Sequence, residues 1–512
     1  MQHSKNSSVS VNSRFIKPCT FEEDDQPLPP YNYLIFGGYG DLAQRKIFPA
    51  MFHIFSSGIM PDSFTITGIG RRDFTGESYR QFIRNAVLSF CENKPDTAVL
   101  DKFITHVSYH CMKLTEAEDY SGLKKLLKTF STDTKIIFYL AVPPDLSPQI
   151  ISSIGQSGIA SEHPESRIII EKPFGEDKTS AIRLNNLLSE YFPENRIYRM
   201  DHYLGKETVQ NIIFFRFANS IFEPIWNYKH IDSIQITAAE TLGIEHRGEF
   251  YEKQGIIRDI IQNHMMQLIS LIAMEAPAGF EADSIRNEKL KILKAIRPVT
   301  EDDLQYFTVG QYDSGTVDGT DVCSYRKEKN VSENSNTPTF VSGRFFIDTW
   351  RWAGVPFYFR AGKRLKKRAT EIAVQFHQPP LKMFGRSCDA MQPNLLVFKI
   401  QPEEEIILKI GIKEPGKGDK IFISEMKFSY RDTFKSAIRP SYERQIIDSI
   451  YGDLTLFARQ DSIEAMWDIV DPVIKYFQES TQNNFPNYKA GSWGPEESLN
   501  IFRDENQKWH TE

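Results

Sequence analysis

Nine residues, RMDHYLGKE (199–207), hold an arginine, a lysine, a histidine, two carboxylates, a tyrosine and one glycine. A surface turn needs the glycine and a polar residue or two. This set can do more. An ammonium, an imidazole and a phenol are donors that suit a phosphate dianion. A second group is EKPFG (171–175), where Lys172 follows an apolar run. A third is His264 in GIIRDIIQNHMMQLISLIAM (255–274), on the helical face of Ile257, Ile260, Ile261 and Leu268. From the residues alone, the first group is equally a solvated turn, Asp201 a cap, and His264 a hydrogen-bonded core histidine.

A fourth group is GGYGDLA (37–43), between apolar YNYLIF and a stretch with helical spacing, DLAQRKIFPAMFHIFSSG (41–58). Gly37, Gly40 and Ala43 form GxxGxxA. Glycine lets a phosphate approach the backbone, and alanine lets the helix lie close to the strand. A pyrophosphate there is expected to rest against Gly37, Gly38, Gly40, Asp41 and Leu42 at the helix N-terminus. Lys46, one turn in, either reaches the phosphates or is a surface lysine. The next strand, FTITGIG (64–70), runs into Arg71 and Arg72, where an NAD enzyme carries an acid. Guanidinium groups suit the 2′-phosphate of NADP, and Arg71 is the expected ligand. Two solvated loop charges are the alternative.

These residues need a scaffold. KIIFYLAVPP (135–144) and RIIIEKPFG (167–175) are continuous apolar runs, which suit strands covered on both faces. Helical patterns at 77–90 and 117–130 alternate with such strands, giving a doubly wound parallel α/β sheet of Rossmann type over residues 31–200. Beyond it, IDSIQITAAE (231–240) and segments near 339–349, 371–377 and 395–410 alternate polar and apolar residues. That is the period of a half-buried antiparallel sheet, so residues 201–512 are expected to form a larger α+β domain for substrate binding and oligomerisation. The stretch 312–338 is polar and reads as a surface loop. Residues 1–30, ending in PLPP, read as a flexible polar arm, and the segment from 480 as an extended tail.

The 512 residues carry a net charge of -6 with acids and bases well mixed, which favours neither nucleic acid nor an anionic membrane as partner. Five cysteines, at 19, 91, 111, 323 and 388, form no CxxC pair, so neither a zinc site nor a disulfide framework is expected. No metal and no Walker motif is expected, and a cytoplasmic location fits reduced thiols without a secretory signal.

EKPFG, RMDHYLGKE and QNHMMQ together resemble glucose-6-phosphate dehydrogenase, whose corner reads approximately R-I-D-H-Y-L-G-K-E and differs only at Met200. The likeness continues through AVPP (141–144), GIIRD (255–259), AGK (361–363) and GSWGP (491–495). It implies NADP-dependent oxidation of glucose 6-phosphate in a homodimer or homotetramer. It implies His264 as general base, Asp201 as its partner, and His202, Tyr203 and Lys206 as phosphate ligands. It further implies Glu240, Asp259, Lys363, Arg368 and Gln401 around the sugar, and Lys172 beside the cofactor. By themselves, Glu240 and Asp259 are ordinary surface acids and KRLKKR (363–368) is a solvated face.

The family turn usually reads GASGDLA, so Gly38 and Tyr39 depart from it, and Tyr39 stacks or donates where a serine would stand. Two rival readings stay open: a related sugar dehydrogenase without the phosphate corner, and a catalytically dead NADP-binding sensor.

Overall fold

The computed structural model describes residues 28–510 apart from residue 92 and the segments 382–391, 417–420, 435–438, 480–483 and 505–506. The expected arm thus lies outside the described residues up to residue 27. Leu28 is already buried, and the Pro30 carbonyl accepts from the Lys135 amide. Cys19 and Cys388 are also outside.

Six strands pair in parallel: Tyr31–Phe36 (β1), Phe64–Gly70 (β2), Val107–Cys111 (β3), Lys135–Leu140 (β4), Arg167–Ile170 (β5) and Ile197–Met200 (β6). Their order across the sheet is β6-β5-β4-β1-β2-β3. β1 is buried along its whole length, as a central parallel strand under helices must be. The order reverses between β1 and β4, so a crevice opens outside the carboxyl ends of the strands. Those ends carry the Gly37–Gly40 turn, Arg71 and Arg72, Pro143 and Pro144, Lys172 and Asp201. Every sequence-level site group of the first domain therefore reaches one edge of one sheet.

The second sheet contains Ile231–Ala239 (β7), Thr308–Gly310 (β8), Phe340–Phe346 (β9), Pro356–Gly362 (β10), Ala369–Phe376 (β11), Leu395–Gln401 (β12), Glu405–Lys413 (β13) and Ile421–Ser429 (β14). Their order is β14-β13-β12-β11-β7-β10-β9-β8. All pairs are antiparallel except β7 with β10. The alternating stretch 395–410 is two strands of a hairpin. The expectation of a half-buried strand at 231–240 is corrected, for β7 is covered on both faces. Its apolar side meets the segment 255–274. On its polar side Gln235 donates to the Lys508 carbonyl and accepts from the His510 amide. Trp509 lies over the Arg360 guanidinium at 4.4 Å.

The expected single helix at 255–274 is interrupted. Gly255 takes φ 59°, residues Ile257–Met265 follow a π-helical path, and only Met266–Ala273 is α-helical. It is also not amphipathic, because Gln262, Asn263, His264, Gln267 and Ser270 are buried along with the isoleucines. A π turn also runs through Ala43–Ile47, just before Pro49 of the helix Phe48–Ser56. The stretch 312–338 is not a simple surface loop. It holds the hairpin Gly315–Val317 with Thr320–Val322, and Tyr312 and Tyr325 are fully buried.

Late chain returns to complete the first sheet. Phe457–Ala458 pairs antiparallel with β6, and the helix Ser441–Tyr451 packs Ile446, Ile447 and Ile450 into the core of the first domain. The division at residue 200 therefore does not separate the two sheets cleanly. Arg167, at the start of β5, holds this helix by its end, donating from Nη1 to the carbonyls of Ser449 and Ile450 at 2.6 Å. A cation at a helix C-terminus satisfies carbonyls that have no intrahelical partner. Arg167→Met is expected to cost about 2–3 kcal/mol. Urea unfolding of the two proteins checks this; equal midpoints would show that the contact is dispensable.

Candidate active site

Asp201 follows β6 directly, and His264 stands in the last turn of the π segment. The His264 Nδ1 and the Asp201 Oδ1 are 2.5 Å apart, and each side chain is 2% exposed. Asp201 Oδ1 also accepts from the Tyr203 amide, and the Asp201 carbonyl accepts from Gln445. Burial opposes the charge on Asp201, but the facing His264 outweighs it and holds the carboxyl below the usual range. Burial lowers the pKa of His264, Asp201 offsets this in part, and Lys172 adds to the lowering. The imidazole is therefore neutral near pH 7, its Nδ1–H donates to Asp201, and its Nε2 lone pair is free to take a proton. This contact suits a hydrogen-bonded core histidine and a base held by a carboxylate alike.

The rest of the corner surrounds this pair. The Tyr203 ring stacks on His264 with centroids 4.1 Å apart, and the His202 ring meets it edge to face at 4.5 Å. Burial, then His264 and Lys172, push the pKa of His202 well down. The Tyr203 hydroxyl lies 3.4 Å from Thr370 Oγ1 and from Gln401 Nε2, and Gln401 accepts from Arg368 at 3.3 Å. Lys206 Nζ is 5.8 Å from the Tyr203 ring and makes no ion pair with a described residue. Burial lowers its pKa, Glu404 counters this, and Arg368 and Lys46 add to the lowering. Lys46 thus belongs electrostatically to this cationic group. The corner is no solvated turn: Asp201, Tyr203 and Leu204 are buried.

A chain of ion pairs extends from it. Lys172 reaches Asp259 Oδ1 at 3.1 Å, Asp259 Oδ2 reaches Lys363 at 3.2 Å, and Lys363 reaches Glu240 at 2.7 Å. Burial disfavours the Asp259 charge, but the two lysines hold its carboxyl far below the usual range. The solvated-face reading of 363–368 is thus half right: Lys363 is 1% exposed, while Lys366, Lys367 and Arg368 face solvent. Asp201, His202 and His264 also offer three ligand atoms within 4.8 Å of one another. Asp201 Oδ1 already accepts from two donors, whereas its buried Oδ2 has no hydrogen-bond partner among the described residues.

The dinucleotide edge lies along the same crevice. Gly37 takes φ 79°, and a Cβ there would stand 2.4 Å from the Ala141 carbonyl oxygen. A Cβ on Gly38 would meet the Gly68 Cα at 2.6 Å, and Tyr79 donates to the Gly38 carbonyl. The Ala-to-Gly departure in the turn thus follows from the closeness of β2 and Tyr79. Gly40 donates to the Gly37 carbonyl, Asp41 is exposed and paired with Arg45, and Leu42 packs on the core. Arg71 and Arg72 are exposed, and Arg72 lies 4.7 Å over the Tyr39 ring. Tyr39 therefore stacks, holding Arg72 at the end of β2. A glycine turn, unpaired first-turn N–H groups and two guanidinium groups fit NADP by donor chemistry. A cleft of about 690 Å³ continues past Pro144 and Pro173 to Arg247. It does not include His264 or Lys206, and the Lys172–Pro173 peptide bond beside it is cis.

Two groups were missed by sequence reasoning. Glu171 is half-buried and takes a 2.5 Å hydrogen bond from Tyr139, and desolvation pushes its pKa up to about 7. Its place in EKP, one residue before Lys172, was a usable signal. Tyr442, which stacks at 6.5 Å on His202, comes from the distant PSYERQ segment and carried none.

Two family models match the chain: the NAD binding domain of glucose-6-phosphate dehydrogenase over residues 34–211, and its C-terminal domain over 213–510. The glucose-6-phosphate 1-dehydrogenase of Chlamydia pneumoniae is 41% identical over 94% of this chain and 96% of its own length. That of Bacillus subtilis is 40% identical over 93% and 97%. A solved glucose-6-phosphate dehydrogenase in complex with its substrate glucose 6-phosphate superposes with a TM-score of 0.84 at 33% identity, covering 94% of this chain and 99% of that one.

The half-buried His202 makes a pH prediction. The folded pKa of His202 lies below the unfolded value near 6.5, so its contribution is present above about pH 6.5 and is lost as pH falls. The unfolded chain takes up a proton that the folded chain refuses. Denaturant titrations between about pH 6.5 and 5 should show stability falling with pH. His202→Gln should reduce that slope by up to about 1.4 kcal/mol per pH unit. An unchanged slope would mean that His202 is charged in the folded protein.

Proposed function

We infer how the site works from one premise: this chain belongs to the glucose-6-phosphate dehydrogenase family, and it oxidises glucose 6-phosphate at carbon 1 to the 6-phosphogluconolactone with NADP, the first oxidative step of the pentose phosphate pathway. NADP supplies a nicotinamide that accepts hydride. The observation that carries the residue roles is the buried contact between Asp201 and His264, with its free Nε2 at the cationic corner.

In this reading His264 Nε2 takes the proton from the carbon 1 hydroxyl as hydride leaves that carbon. A neutral imidazole is poised for this step, and Asp201 stabilises the imidazolium that results and fixes its tautomer. Lys206 and His202 bind the phosphate, with Tyr203, Arg368 and Gln401 beside them. The corner has a ready place for a dianion, because Lys206, Arg368 and Lys46 are like charges against the single carboxylate of Glu404. Asp259 and Glu240 keep acceptor capacity for sugar hydroxyls beyond their lysine pairs, and Lys363 is positioned by both. Lys172 pairs with Asp259, and its charge adds to the burial that lowers the pKa of His264. Gly37, Gly38, Gly40, Asp41 and Leu42 approach the pyrophosphate, Lys46 reaches toward phosphate, and Arg71 and Arg72 take the 2′-phosphate.

Initial-rate kinetics test these roles. His264→Asn should lower kcat by about 10³-fold or more with a modest change in KM. Lys206→Ala should raise KM for glucose 6-phosphate by about tenfold or more and leave turnover of plain glucose unaffected. Full activity in His264→Asn would remove the assigned base. Absence of any sugar-phosphate-dependent NADPH formation by the wild type would favour the NADP-binding sensor.

The chain is further proposed to act as a cytoplasmic homodimer or homotetramer. No described helix is long and apolar enough to cross a membrane. The outer strands β13 and β14 expose Ile412, Phe422 and Met426. Light scattering after size exclusion should give at least twice the chain mass of 59.1 kDa; a monomer at working concentration would remove this part.

A further inference from the structure

The glycine turn and the end of β2 are tied together, and one side chain spans them. The amides of Gly37 and Gly38 both donate to the Ile69 carbonyl, at 2.9 and 3.1 Å. Gln44 Nε2 donates to the Tyr39 carbonyl at 2.9 Å, so the backbone that carries Tyr39 is held on both sides. The Tyr39 ring crosses to β2 and lies against Gly70, where a Cβ would stand 2.5 Å from Tyr39 Cε1 and 3.0 Å from Cδ1. Phe74 flanks the ring with centroids 6.3 Å apart, and Phe74 is in turn packed on Tyr79 and Tyr109 at 5.5 and 5.2 Å. The Arg72 guanidinium lies over the Tyr39 ring, 4.7 Å from its centroid. Arg72 is exposed, and its side chain pairs with no acid among the described residues.

We propose that Tyr39 is a positioning residue for cofactor choice: by holding Arg72 where the 2′-phosphate arrives, it sets how strongly the enzyme prefers NADP to NAD. This rests on the assignment of Arg71 and Arg72 to the 2′-phosphate made above. An exposed arginine loses side-chain freedom when it grips a phosphate. A guanidinium already stacked on a ring has given up part of that freedom, so less is lost on binding. NAD carries a hydroxyl in place of the phosphate and gains nothing from the held charge. Selectivity is a difference of two affinities, so a group that helps one cofactor alone raises it. Gly70 belongs to the same arrangement. It takes no positive φ, so its missing side chain makes room for the ring rather than for a turn.

Dissociation constants of the full-length protein for NADPH and NADH, read from the fluorescence of the reduced nicotinamide, test this. Tyr39→Ser should weaken NADPH binding about fivefold and leave NADH within about twofold. Tyr39→Phe, which keeps the ring, should match the wild type. Gly70→Ala, whose methyl group displaces the ring, should weaken NADPH to a similar degree and add nothing further in a Tyr39→Ser background. Equal weakening of both cofactors by Tyr39→Ser would overturn the proposal, because the ring would then serve a part that both share. So would unchanged NADPH affinity in Tyr39→Ser beside a loss in Arg72→Gln. If Arg71→Gln and Arg72→Gln both leave NADPH binding unchanged, the 2′-phosphate assignment has itself failed, and this proposal with it.

Discussion

A carboxylate and an imidazole in contact, both shut off from water, set conditions that much of this molecule serves. A buried carboxylate is costly unless donors satisfy it, and a buried imidazole is useful as a base only if it stays neutral. Asp201 meets the first condition in part: its Oδ1 accepts from the His264 Nδ1–H and a backbone amide at the end of β6, while its buried Oδ2 has no hydrogen-bond partner among the described residues. His264 meets the second through burial and the charge of Lys172. The elements involved come from three parts of the chain: the last parallel strand, the π segment after Gly255, and the late helix whose Gln445 holds the Asp201 carbonyl. A π turn changes the side-chain phase along a helix, and such turns are frequent at functional positions.

Charge is arranged around the pair in two ways. From Lys172 through Asp259 and Lys363 to Glu240, each charge meets its opposite within 3.2 Å, which offsets the partial desolvation of four ionised groups of which Lys363 is the buried one. At Lys206 the balance is left open, with one carboxylate, Glu404, set against Arg368 and Lys46 as like charges nearby. A closed network positions groups rigidly, whereas an open one favours an arriving anion. Their adjacency gives the crevice a neutral end and a positive end.

Much of this was legible in the residues, and the rest was not for identifiable reasons. The parallel sheet was readable because strands covered on both faces need unbroken apolar runs, as in KIIFYL and RIII. The strand 231–239 was misjudged because its polar residues do not face water: they face a tail more than 200 residues later in the chain. The break at Gly255 and the π path beyond it leave no periodic trace, since residues 256–266 are buried on nearly every side. By residue type alone Asp201, His202 and Lys206 fitted a solvated turn and His264 a core position, and the roles proposed for all four rest on the likeness to the family. Tyr442 and Gln445 belong to no local pattern, because their roles depend on a helix docking from the far end of the chain.

That docking has a consequence for biogenesis. Translation produces β1 to β6 first, but the outer edge of β6 has no partner until residues 457–458 leave the ribosome. An unpaired strand edge is a template for association with other chains. The apolar floor that receives Ile446, Ile447 and Ile450 stays open for the same interval. The nucleotide-binding half is thus the earliest to be synthesised and the last to be sealed, and a nascent chain must keep that margin shielded while the whole eight-stranded sheet is being made.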